Sequence, residues 1–224
     1  MLERAPLDDA VIAYQSPLLR GLGVPHAFGT RHGDADAITR TLGLDSRQWV
    51  TVRQVHCNTV ASAENTPGCD ADAVVLDDPA HATRIVTADC VPILLASTDG
   101  RRVAAIHAGW RGLVAGVIEQ AAARLNAPFI AAIGPCISAS HFEVGPEVAD
   151  HFDPAHVILK HGANPHVDLS AAAAARLYTL GTQAIDRTDR CTYRDAKDFY
   201  SHRRDVTHHG AKKTGRMPHL IAPR

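Results

Sequence analysis

Three residues of the sequence combine metal-binding or nucleophilic chemistry with positions at the ends of strand-like runs. His56 closes "WVTVRQVH", Cys90 heads the run "VPILLAS", and His107 ends "RRVAAIH". A cysteine thiolate with two imidazoles supplies three protein ligands to a tetrahedral zinc and leaves a fourth position for water, the arrangement of catalytic rather than structural zinc. Such a metal lowers the pKa of its bound water to about 7 and makes hydroxide available at neutral pH. Asp89, just before Cys90, is then a candidate for the carboxylate that orients a ligating histidine; as a turn residue ahead of Pro92 it needs no such role. The same atoms suit a second chemistry, with Cys90 as a nucleophile made thiolate by His107 or His56. The spacings, 34 and then 17 residues, are too wide for a zinc-finger signature. A buried thiol and two hydrogen-bonded histidines that never meet are the plain alternative.

Four arginines are candidate anion clamps. Arg31 in "FGTRHGD", Arg111 in "GWRG", and Arg203 and Arg204 in "SHRRD" stand beside Gly, Ser or Asp in turn-like contexts. There a guanidinium can grip phosphate bidentately, though each arginine taken alone is more often in a surface ion pair. "HAGWRG" lacks the GxxxxGK[ST] spacing of a phosphate loop, and Trp110 is expected to pack at that turn. The five cysteines, Cys57, Cys69, Cys90, Cys136 and Cys191, are odd in number and widely spread, so a disulfide framework is not expected.

The elements that must position these residues form one domain, 1–224, large enough to bury a sizeable core. Hydrophobic residues make up 46% and charged residues 21% of the 224, with a net charge of -1, which gives no electrostatic reason to expect nucleic acid or an anionic membrane. The acidic start "MLERAPLDDAVIAYQ" lacks the features of a signal peptide, and no apolar run approaches membrane-spanning length. A cytoplasmic protein is expected. Strand-like runs recur at "PHAFGTR", "WVTVRQVH", "DAVVLD", "TRIVTA", "VPILLAS", "RRVAAIHAG", "FIAAIGPCI", "HVILK" and "DFYSH". Apolar stripes at helical spacing run through "GLVAGVIEQAAARLN" and "DLSAAAAARLYTLGTQAID", the second capped by Asp168 or Ser170. Strands outnumber helices without strict alternation, so an α+β layered fold is expected rather than a doubly wound parallel sheet.

Taken in order, "RQVH", "DADAVV", "TADCVPILL", "VAAIHAGWRG", "AAIGPCI", "FEVGPEV", "CT", "FYSHRRD" and "TGRM" resemble the laccase-domain family. Its members have been described as multicopper polyphenol oxidases, include the bacterial peptidoglycan editing factor, and are now described as purine nucleoside phosphorylases with adenosine deaminase activity. The resemblance runs from about residue 26 to residue 217. It implies a four-layer α/β/β/α domain and a zinc held by His56, Cys90 and His107. It also implies purine nucleosides and phosphate as partners, with phosphorolysis of adenosine, inosine and 5'-methylthioadenosine and hydrolytic deamination of adenosine. Deamination follows from water activated at zinc attacking C6 of the purine. Phosphorolysis needs a phosphate clamp, for which "GTRHG", similar to the family's "TRxGG", makes Arg31 the first choice.

Cys57 stands after His56 where the family commonly has glycine, and Cys69 precedes "DADAVV"; both are soft side chains near the candidate ligands. The segment "VTHHGAKK", 206–213, is longer than the family's usual interval, which bears on Arg203, Arg204 and Arg216 as substrate contacts. A copper-dependent phenol oxidase is the alternative cofactor reading, disfavoured because laccase coppers need many histidines and His-x-His pairs are absent. A peptidoglycan-editing cysteine or zinc hydrolase is a further alternative.

Overall fold

The most apolar run of the sequence becomes a strand at the heart of a sheet. In the computed structural model, which describes residues 1–7, 12–65, 67–159 and 161–224, every residue of Val91–Ser97 is buried. A continuous apolar strand of this kind needs cover on both faces. It pairs antiparallel with Val103–Ala108 on one side and Phe129–Ile133 on the other. Ala73–Leu76 extends the sheet antiparallel, and the short Val60–Ala61 and Ile185–Asp186 strands close its edges in parallel.

The alternation of side chains across the pleat divides this strand between two cores. Leu94 and Ala96 face a second six-stranded sheet, where they meet Phe28, Ile85, Met217 and Ile221. Ile93 and Leu95 face the other way, into a cluster with Ile118, Ala121, Leu125, Ala173 and Leu177 from the helices Val117–Leu125 and Leu169–Thr179. The second sheet runs, in spatial order, Glu3–Pro6, Ile12–Gln15, His26–Gly29, Met217–Ile221, His81–Thr87 and Gln48–Val50. Its outer face is covered by Ala35–Thr41, whose Ile38 packs with Ala13, Ala27 and Leu220. The result is the expected α+β arrangement in four layers, α/β/β/α, with mixed sheets inside and helices outside.

Several elements differ from the pattern in the sequence. The first helical stripe is two helices, Trp110–Ala115 and Val117–Leu125, because Gly116 takes a left-handed φ of 86° between them. The second stripe is helical over Leu169–Thr179, and Asp168 accepts from the Ala171 amide as its cap. "DFYSH" forms no strand; it is an irregular stretch after a turn at Asp198, leading into a helical turn at His202, and it buries Phe199. From "HVILK" only Val157–Ile158 is a strand, and Lys160 lies outside the described residues. "MPHLI" is instead a fully buried central strand, concealed in the sequence by Pro218, a residue that argues against a central strand. Among the described residues no helix is long and apolar enough to cross a membrane.

Candidate metal centre

Antiparallel pairing brings two of the three candidate residues together. Val91 lies opposite Ala108 and Pro92 opposite His107, so the residue that heads one strand sits beside the tail of the next. His56 does not end a strand, contrary to the sequence pattern: the strand stops at Arg53, and His56 lies on a loop with a left-handed φ of 62°. The ligand atoms of His56, Cys90 and His107 nevertheless all lie within 4.8 Å of one another. Cys90 Sγ is 3.8 Å from His56 Nε2, and the two imidazoles meet edge-on with centroids 4.8 Å apart.

The residue that organises this group is Asp72, which the sequence pattern did not single out. Its Oδ1 accepts from His107 Nδ1 at 2.6 Å, and its Oδ2 accepts from the backbone N–H groups of Val55 and Cys57 at 3.0 and 2.7 Å. The side chain is fully buried. The available signal was "DADAVV", an acid placed directly before a wholly apolar strand, where a carboxylate is buried only if it has partners. Asp70, two residues earlier, pairs instead with exposed Arg53.

Asp89 has a different role from the one its position suggested. Its Oδ1 accepts from Thr192 Oγ1 at 2.6 Å and its Oδ2 from the Arg203 amide at 2.7 Å, while its carbonyl accepts from the Ile137 amide. These bonds hold an uncommon left-handed backbone, φ 94°. Asp89 thus anchors the 136–138 and 191–203 segments beside Cys90, and the carboxylate on a candidate ligand belongs to Asp72.

The donor set fits a mononuclear four-coordinate metal. With Nδ1 of His107 held by Asp72, Nε2 is left for the site, as is usual for a ligating histidine with a carboxylate behind it. Tetrahedral zinc places a thiolate sulfur and an imidazole nitrogen roughly 3.6 Å apart, close to the 3.8 Å between Cys90 and His56. Gly109 leaves the room: a Cβ there would lie 2.8 Å from His56 Cδ2 and 3.1 Å from Cys90 Sγ. Cys57 lies outside this ligand group, its sulfur accepting from the Thr59 amide at 3.4 Å and its thiol bonding to Asp72.

Burial opposes charge at Cys90, but the hydrogen bonds and positive character of His107 and His56 outweigh it and bring the thiol down to about 6. Burial likewise opposes charge at His107, and the bonds to Asp72 and Cys90 overcome it, raising the imidazole to about 9. The Asp72 carboxyl is held well below its usual range; its bonds to His107 and to the Val55–Cys57 loop outweigh its burial. Cys90 and His107 titrate as a pair, and a metal must displace their protons. The thiol proton leaves at lower pH and the second proton of the His107 imidazolium at higher pH, while the proton shared with Asp72 stays on Nδ1. Metal affinity should therefore rise with pH, steeply below 6 and with a shallower slope up to 9. Calorimetric titration at pH 7.5 in buffers of different ionisation enthalpy should show about one proton released by this pair per metal bound; affinity that falls with rising pH would contradict the assignment.

The arginines separate clearly. Arg204, expected among the substrate contacts, is buried, and its guanidinium donates to the carbonyls of Thr192, Tyr193 and Phe199 and pairs with Asp205. Arg203, with its amide on Asp89, lies over the Phe142 ring at 5.3 Å and donates through Nη1 to the Glu143 carbonyl. Arg111 lies over Trp110 at 4.4 Å. Arg31 lies over Tyr200 at 4.8 Å and bonds the Ala196 carbonyl; it lines a cavity of about 400 Å³ with Lys213 and Thr214. That cavity includes none of the three candidate ligands.

A His–Cys–His group backed by a carboxylate, set on two strand ends and a loop of a four-layer α/β/β/α fold, is a donor set that could hold a metal ion. The chain belongs to the multi-copper polyphenol oxidoreductase laccase family, whose model matches residues 32–224. It is 37% identical over 182 residues to purine nucleoside phosphorylase YfiH of Escherichia coli, covering 77% of this chain and 72% of that one. It is 33% identical over 236 residues to a purine nucleoside phosphorylase of Deinococcus radiodurans, covering 90% of both. Among solved structures, a Neisseria meningitidis protein superposes with a TM-score of 0.76 at 29% identity, covering 99% of this chain and 98% of that one. YlmD of Geobacillus stearothermophilus superposes at 0.82 with 23% identity over 96% and 97% of the two chains, a likeness of fold.

Proposed function

We propose that this chain is a zinc-dependent purine nucleoside phosphorylase that also deaminates adenosine. Its substrates are adenosine, inosine and 5'-methylthioadenosine, with phosphate as the co-substrate. The observation that carries the reading is the meeting of the His56, Cys90 and His107 donor atoms within 4.8 Å, in a chain whose relatives bear the phosphorylase name. Bound zinc would supply Lewis acidity and a water made acidic enough to react at neutral pH.

The chain's own residues orient and clamp. Asp72 keeps the His107 proton on Nδ1, so that Nε2 presents a lone pair to the site. In phosphorolysis a phosphate oxygen bonds to the ribose anomeric carbon while the bond to the base breaks and the base leaves with the electron pair. Phosphate must therefore lie beside the nucleoside. Arg203 suits this position better than Arg31, because Asp89 fixes its backbone next to Cys90 and Phe142 and Glu143 fix its guanidinium. A guanidinium so restrained loses little freedom when it takes up an anion.

Incubation of zinc-loaded protein with nucleosides, followed by product analysis, tests the reading. Adenosine should give inosine without phosphate, whereas free base and ribose 1-phosphate should form from inosine only with phosphate added. Arg203→Ala should raise the phosphate KM by about tenfold or more, the effect of losing a charged hydrogen bond, and leave phosphate-free deamination in place. Arg31→Ala should have the smaller effect. Zinc-loaded, folded protein that leaves all three nucleosides unchanged with phosphate present would end the purine reading.

A second reading has one observation in its favour. Asp72, His107 and Cys90 are linked in sequence, carboxylate to imidazole to thiol, the relation of a cysteine hydrolase triad, as a peptidoglycan-editing hydrolase would need. It predicts activity that survives chelation and is abolished by thiol alkylation of metal-free protein.

A further inference from the structure

We propose that Asp72 is a positioning residue that sets two of the three metal ligands at once: the ring of His107 through one carboxylate oxygen and the backbone carrying His56 through the other. The inference rests on His56, Cys90 and His107 being metal ligands, and does not depend on which reaction the metal serves.

The two halves of the carboxylate face different elements. Oδ1 takes His107 Nδ1–H from the Val103–Ala108 strand. Oδ2 takes the amides of Val55 and Cys57, the residues on either side of His56. His56 itself is exposed and in the left-handed region, a conformation uncommon for residues other than glycine, although histidine is among the side chains that adopt it most readily. Two amides converging on one buried oxygen hold that turn in place. The backbone of Asp72 adds a further tie, its carbonyl accepting from the His107 amide at 2.7 Å. A displacement of Asp72 would therefore change the distance between two ligands that come from separate elements.

The chemistry requires a carboxylate. Every partner of the side chain is a donor: one imidazole N–H, two backbone N–H groups and the Cys57 thiol. Asparagine has the same shape but offers one acceptor oxygen and one NH2 donor. Turned one way, its NH2 faces His107 and favours the tautomer with the proton on Nε2, where the metal must bind. Turned the other way, its NH2 faces the two amides and pushes the His56 loop outward. Neither orientation keeps both ligands.

Asp72→Asn should lower affinity for Zn2+ alone by about 10- to 100-fold, the effect typical of removing a partner behind a ligating histidine. The exposed Asp70→Asn should leave affinity unchanged. Because a buried substitution can weaken the fold, two measurements on the parent protein keep the proposal open to refutation. In the zinc-loaded parent, long-range nitrogen–proton NMR should place the remaining His107 proton on Nδ1. In the metal-free parent, the Val55 and Cys57 amides should be protected from hydrogen exchange although their loop is exposed, and in folded Asp72→Asn that protection should be lost while the Ile93 and Leu94 amides stay protected. Parent amides that exchange freely, a His107 proton on Nε2, or an Asp72→Asn variant that binds zinc like the parent would overturn it. Failure of the purine reading would look different: loaded parent protein with all these signatures and no nucleoside turnover.

Discussion

Cys90→Ala should lose metal and activity together. The substitution removes the one thiolate of the set and leaves two imidazoles, of which His56 stands on an exposed loop. Zinc binding through four ligands yields about 10–16 kcal/mol near neutral pH, so one ligand accounts for a few kcal/mol and its loss for a fall in affinity of a hundredfold or more. The fold should survive. Cys90 lies just outside the Val91–Ser97 strand and belongs to neither of the two main apolar clusters, so its truncation takes nothing from either core. Cys57→Ala is the control, because Cys57 lies outside the ligand group; its sulfur reaches the Thr59 amide and Asp72, so its loss removes one of several donors to Asp72 and no metal ligand. Metal analysis of the two purified variants decides the matter: full zinc in Cys90→Ala with depleted zinc in Cys57→Ala would mean that the wrong thiol has been assigned.

What could be read from the sequence followed physical range. The strands "VPILLAS" and "RRVAAIHAG" are legible because unbroken apolar runs have few other uses, and their pairing follows from the short "TDGR" turn between them. That turn alone brings Cys90 toward His107. His56 is another matter: the run "WVTVRQVH" marked it as a candidate at a strand end, but no local pattern announces a left-handed residue held by a distant carboxylate, and its grouping with the other two followed from the family resemblance. Asp72 went unseen for the same reason. Its partners lie 15 to 35 residues away, and one acid among "DAD" does not tell which faces inward. Asp89 attracted the role instead because it adjoins Cys90, whereas its actual partners, Thr192 and Arg203, lie more than 100 residues away. Arg204 looked like Arg203 in the sequence; only the burial of its guanidinium among carbonyls separates a structural arginine from one with donors to offer.

Gly109→Ala should disable the centre without unfolding the protein. Gly109 precedes the helix Trp110–Ala115 with φ -72° and ψ 167°, angles that alanine adopts freely, so the backbone has no objection to a side chain. Its N-cap position carries no side-chain bond to lose, and the cost of alanine there is small beside that of removing a polar cap. The obstacle is space. The new methyl would lie 2.8 Å from His56 Cδ2 and 3.1 Å from Cys90 Sγ, well inside the separation of about 3.5–4.0 Å at which carbon atoms attract. Cys90 is fixed by the strand that follows it and by the bonds on Asp89, so the ring of His56 is the group that yields. Moving it aside removes one ligand and narrows the access to the other two. Zinc affinity should fall by about a hundredfold, as for the loss of any ligand, with little change in melting temperature for the metal-free protein. Gly134→Ala supplies the contrast, because its methyl would lie 2.2 Å from the Phe28 ring between the two sheets, where overpacking costs about 1–3 kcal/mol of stability. The first variant should be stable and metal-poor, and the second should melt earlier. If Gly109→Ala binds zinc as tightly as the parent, His56 has room to step back and still coordinate, and the glycine is there for the turn alone.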